Sequence, residues 1–79
     1  MEFKTSDFYL TIFLIVKGMR LLGIKKVEGS RRQMFVLEDN ENRESLVNSF
    51  NDTFENEERL VDARRFIAVS RNLKEQLYS

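Results

Sequence analysis

The sequence predicts a small α+β domain: three helices and a small antiparallel sheet built on a central β-hairpin, in the order β-α-β-β-α-(β)-α. Three observations carry this prediction. Residues 8–16 form an apolar run preceded by residues able to cap a helix. Residues 21–38 contain two alternating segments separated by Gly29-Ser30. Residues 63–78 repeat apolar side chains at helical spacing. The 79 residues make one domain, 1–79. A chain of this size buries only about 60% of the surface its unfolded state exposes, so a second copy would be a natural source of additional core, and homo-oligomerisation stays open.

The elements follow in order. Glu2 to Thr5 reads as a short strand with Phe3 inward. Thr5 or Ser6 is the expected N-cap of the first helix, with Asp7 in its first turn, where the positive end of the helix favours an anion. Asp7 and Thr11 form the only polar stripe on a helix that is otherwise apolar all round, which places it at the centre of the fold. The helix is expected to run to Lys17, with Gly18 taking the left-handed conformation just beyond its end. Leu21–Val27 and Arg32–Glu38 read as the hairpin strands. A Gly29-Ser30 turn then pairs Lys26 with Gln33, Ile24 with Phe35 and Leu22 with Leu37, while Leu21 faces Glu38.

Asp39 or Asn40 is the expected cap of the second helix, with Glu41 and Glu44 near its positive end. Leu46, Val47, Phe50 and Phe54 follow at helical spacing, and Asn51-Asp52 marks the end. Glu55 to Glu58 reads as a charged connection and Arg59-Leu60-Val61 as a short strand. Asp62 is the expected N-cap of the third helix. Its inward stripe is Phe66, Ile67, Val69, Ser70, Leu73 and Leu77, with Arg64, Ala68, Arg71 and Glu75 facing away.

Composition excludes much chemistry. There is no histidine and no cysteine. The commonest general acid/base, thiol catalysis, disulfides and thiolate zinc sites are therefore all removed. No serine is placed beside an activated lysine, and no glycine-rich phosphate loop is present. The acidic residues 39–44 lack the glycine-centred spacing of a calcium loop. The expectation is a protein that is not an enzyme and takes no cofactor or metal. The apolar run at 8–16 is shorter than the ~20 residues that span a bilayer, and Glu2 and Asp7 precede it where a signal peptide carries positive charge. With cysteine absent as well, a cytoplasmic protein without membrane association is expected.

Net charge is zero, but the charges are segregated. Lys25, Lys26, Arg31 and Arg32 cluster around the hairpin turn, and Arg64 and Arg71 would extend a basic patch if the third helix lies nearby. Residues 38–58 carry eight acidic side chains against Arg43 alone. A folded arm with a positive tip attracts acidic protein surfaces or a phosphate backbone. The same charges also keep an exposed strand edge from aggregating. A pI near 6.3 argues against a strong nonspecific nucleic-acid binder. The expected function is non-enzymatic binding of a protein partner. The alternative is a nucleic-acid-binding module that uses the basic tip.

Several of these residues also form a larger pattern. Thr5-Ser6-Asp7 with Tyr9-Leu10, Gly18 and Leu21-Leu22-Gly23 resembles the opening of an uncharacterised family of small bacterial and phage proteins, a domain of unknown function. Phe35-Val36-Leu37-Glu38-Asp39 is similar to that family's second strand and helix cap. Val61-Asp62, Arg65-Phe66, Leu73-Lys74 and Leu77-Tyr78 are similar to its last helix. Thr11-Ile12 stands where the family has small residues. The resemblance implies a shared fold and a phage or mobile-element origin, and hence an accessory or inhibitor protein. It transfers no functional residue.

Overall fold

A computed structural model describes residues 1–29, 32–51 and 62–78. Its elements are β1 (Glu2–Thr5), α1 (Phe8–Val16), β2 (Leu21–Lys26), β3 (Gln33–Glu38), α2 (Arg43–Asn51) and α3 (Ala63–Tyr78). The strands form one antiparallel sheet in the order β1-β3-β2. The expected α+β domain of three helices and an antiparallel sheet is therefore observed. Phe54, Glu55–Glu58 and the strand expected at Arg59–Val61 lie outside the described residues, as do Ser30 and Arg31.

The N-cap of α1 is Asp7, one or two residues later than the sequence reading. Its carboxylate accepts the Leu10 amide at 3.0 Å, while the Thr5 hydroxyl accepts the Asp7 amide at 3.1 Å and holds the approach. A carboxylate one residue before the first turn answers a free amide better than a hydroxyl further out. The helix closes at Val16. Gly18, at φ 108°, lets its own amide reach Ile15 O at 3.0 Å and the Met19 amide reach Leu14 O at 2.9 Å. Those two bonds define a Schellman ending, and glycine adopts the required left-handed backbone without a steric penalty.

Thr11, expected on a polar stripe, is fully buried, and its hydroxyl donates to Asp7 O at 2.7 Å. That bond satisfies the hydroxyl inside an apolar environment. Ile12, Phe13 and Leu14 are buried around it, so α1 is enclosed as expected. It lies between α2 and α3, and Phe35 and Leu37 of the sheet join the same cluster. Phe3, Leu21 and Ile24 pack on this cluster from the flanking strands. All helices thus cover one face of the sheet.

The hairpin register holds near the tip and shifts at the base. Lys26 faces Gln33, Lys25 faces Met34 and Ile24 faces Phe35, as the alternation predicts. Gly29 has φ 76°. At the base a bulge intervenes, and Leu21, not Leu22, stands opposite Leu37. The extra residue reverses which leucine faces the helices: Leu21 is half-buried against the core, and Leu22 is 47% exposed. β1 completes the sheet by pairing Phe3 with Leu37 and Thr5 with Phe35.

α2 begins at Arg43, later than the Asp39 or Asn40 cap implied. Those residues instead build the turn before it. Asp39 Oδ1 accepts the Asn40 amide at 2.9 Å and Arg43 Nε at 3.1 Å, and Asn40 Oδ1 accepts the Asn42 amide at 2.9 Å. Arg43 also lies over the Phe3 ring, 4.8 Å from its centroid. Glu44 remains in the first turn, and Glu41 lies before it. Leu46, Val47 and Phe50 pack inward as expected.

Asp62 caps α3. Its carboxylate accepts the Arg64 amide at 2.8 Å and, less closely, the Arg65 amide at 3.4 Å. Asp62→Ala is expected to cost about 0.5–2 kcal/mol, measured by urea unfolding. An unchanged midpoint would show that water serves these amides equally well. The inward stripe is Phe66, Val69, Leu73 and Leu77, whereas Ile67, expected within it, is 52% exposed.

Candidate functional site

Among the described residues β2 is an edge strand. Val27 donates its amide to Arg32 O at 3.3 Å. Bonded and non-bonded pairs alternate along an antiparallel ladder. Lys25–Met34 is therefore a bonded pair, like Val27–Arg32, and Ile24–Phe35 and Lys26–Gln33 are not. The amides and carbonyls of Ile24 and Lys26 consequently point away from β3, out of the sheet. Successive side chains alternate, so Lys25 and Lys26 project to opposite faces of the arm. Both are exposed, as is Arg32. The Lys25 and Lys26 ammonium groups make no hydrogen bond or ion pair with any described residue. The arm is thus positive on both faces near its tip, and the core uses neither lysine. Arg31 lies outside the described residues.

α3 has a definite direction relative to this arm. Its middle, at Ala68, Val69 and Asn72, lines one groove with Leu21 at the base of the hairpin. Its end, at Leu77 and Tyr78, shares a cleft with Gln33 and Phe35. The helix therefore runs from the base toward the tip. At 1.5 Å per residue, Arg64 lies about 21 Å along the helix from Tyr78, and Arg71 about half that distance. Both arginines are exposed, yet Arg64 stands at the opposite end from the basic tip. The structure brings together Lys25, Lys26 and Arg32, and it separates Arg64 from them.

Two features were not legible in the sequence. The first is an apolar groove of about 340 Å³ between α3 and the edge strand, walled by Ile15, Leu21, Val69 and Leu73, with the small, exposed Ala68 also lining it. It exists because the bulge turns Leu21 toward the helices, and only the alternation defect reveals it. The second is Gln33 Oε1, which is buried without a hydrogen-bond partner among the described residues, beside the cleft shared with Phe8 and Tyr78. Among the described residues no group of three or more acidic side chains is placed to hold a metal ion. No described helix is long and apolar enough to cross a membrane.

No curated protein and no solved structure matches the chain. A family model described as a domain of unknown function (DUF5659) matches residues 1–79, the whole chain, and the protein belongs to that family.

Proposed function

Starting from a family whose description names no activity, we propose that this protein is a non-enzymatic binding domain that contacts a protein partner through the basic hairpin arm. One observation carries the reading: Lys25 and Lys26 are exposed on opposite faces of an edge strand, without an ion pair among the described residues. Like charges held on a folded arm create a local positive field within a Debye length of about 10 Å. That field suits an acidic protein surface. The remaining finer elements of the reading are a role as a phage or mobile-element accessory or inhibitor and a cytoplasmic location. They rest on the family resemblance and the absence of cysteine.

The test is the double variant Lys25→Ser/Lys26→Ser. Its circular dichroism and melting curve are expected to match the unsubstituted protein, because neither ammonium packs in the core. Crosslinked capture from lysate of the source organism is expected to recover protein partners with the original chain and to lose them with the variant. Gel-shift titration of duplex DNA over a range of salt separates the other class. Tight DNA binding that falls steeply with log salt, through counterion release, would replace the protein-partner reading with the nucleic-acid one.

A further inference from the structure

Resting on that reading, we infer that the partner segment is an extended acidic-apolar peptide that adds as a fourth strand to β2 and seats an apolar side chain in the groove between β2 and α3. Three observations converge. The edge of β2 offers the outward amides and carbonyls of Ile24 and Lys26, which pair with no described backbone group. The apolar groove opens beside Leu21 on the same strand. Lys26 projects from the same face of β2 as Leu21, its ammonium without an ion pair among the described residues, and Arg65 lies on the same flank of α3 as Asn72 and Gln76.

Strand addition uses each of these groups for a different purpose. Main-chain hydrogen bonds give affinity independent of sequence, and the groove and Lys26 select side chains. The bulge places Leu21 and Lys26 on one face of β2, although they are an odd number of residues apart. An added strand without a bulge would meet them with side chains about four positions apart on one of its faces. The recognised pattern is therefore an apolar residue and an Asp or Glu at that separation. A second copy of this chain suits the edge less well. Pairing β2 with β2 through the outward groups of Ile24 and Lys26 would centre on Lys25 and set it opposite Lys25 of the copy, and like charges across strands are destabilising.

The experiment is selection from a displayed random ten-residue peptide library against the full chain, followed by titration of individual enriched peptides. Enriched sequences are expected to combine an apolar residue with an acidic one about four positions away, and bound peptide is expected to slow exchange of the Ile24 and Lys26 amides. Three substitutions isolate the contributions. Ala68→Gln fills the groove from an exposed helical position. Lys26→Pro removes the outward amide, which an edge strand tolerates. Lys26→Gln removes the charge alone.

Ala68→Gln and Lys26→Pro are expected to weaken binding tenfold or more, and Lys26→Gln several-fold, with circular dichroism unchanged in all three. Failure to enrich any peptide would overturn strand addition. Peptides that need Lys25 and Lys26 but ignore Ala68→Gln, and that bind Lys26→Pro as they bind Lys26→Gln, would also overturn it, while leaving the basic arm as the contact surface. Peptides indifferent to the lysines as well would count against both readings. Dimerisation of the free chain that Lys26→Pro abolishes would assign the edge to a second copy and overturn the peptide proposal.

Discussion

Phe13→Ala is expected to lower the unfolding free energy by ~3–5 kcal/mol. The side chain is 3% exposed on the central helix. Its ring lies 5.4 Å from that of Phe50 in α2, and the Lys17 ammonium stands 5.7 Å from its centroid. Truncation removes the transfer free energy of the ring and leaves a cavity that α2 and α3 cannot both move to fill, because each is held against α1. Domains are stable by about 0.05–0.15 kcal/mol per residue, so a chain this short has roughly 4–12 kcal/mol in total. The loss therefore takes a large fraction of the stability. At ~4–8 °C per kcal/mol for a domain of this size, the melting temperature should fall by more than about 12 °C. Urea unfolding followed by far-UV circular dichroism measures it. A loss below about 1 kcal/mol would mean that α1 is not the packing centre and that the layers close without it.

The parts of this fold that were legible in the sequence are those fixed by local chemistry. Gly29 and the alternation of Lys25, Lys26, Gln33 and Met34 set the register near the hairpin tip. Gly18 set the end of α1, and Asp62 set the start of α3. The misread positions are those where several local solutions were nearly equivalent. Thr5, Ser6 and Asp7 are three consecutive residues able to cap, and only the path of the chain out of β1 selects Asp7. Leu21 and Leu22 have identical side chains, so no propensity distinguishes them. The bulge that chooses Leu21 answers to helix packing across the sheet. The basic arm was visible in the order of the charges around the expected hairpin turn. The distance of Arg64 from it was not, because that depends on the direction in which α3 crosses the sheet. The groove was hidden for the same reason as the bulge that creates it.

Leu73→Ala and Ile67→Ala form the second expected result, because the sequence places both residues in one inward stripe and the structure separates them. Leu73 is 1% exposed and is the one fully buried residue of α3. The rest of the inward stripe is half-buried Phe66, Val69 and Leu77. Its truncation is expected to cost ~2–5 kcal/mol, the range for leucine in a closed core. Ile67 is 52% exposed, and replacing it with alanine removes a β-branched side chain from a helix surface. That exchange should stay within about 0.5 kcal/mol of zero, since surface losses are small and alanine favours the helix. Hydrogen exchange adds a local readout. α3 packs on α1 from one side, so Leu73→Ala should release α3 amides more than those of the β1–β3 ladder, which closes without α3. Successive residues on a helix are ~100° apart, so Ile67 and Leu73 lie about 120° apart around α3. Similar losses at both positions would require α3 to be turned about its axis, bringing Ile67 into the core. That rotation would also move Ala68 and Asn72 away from Leu21 and remove the groove beside β2.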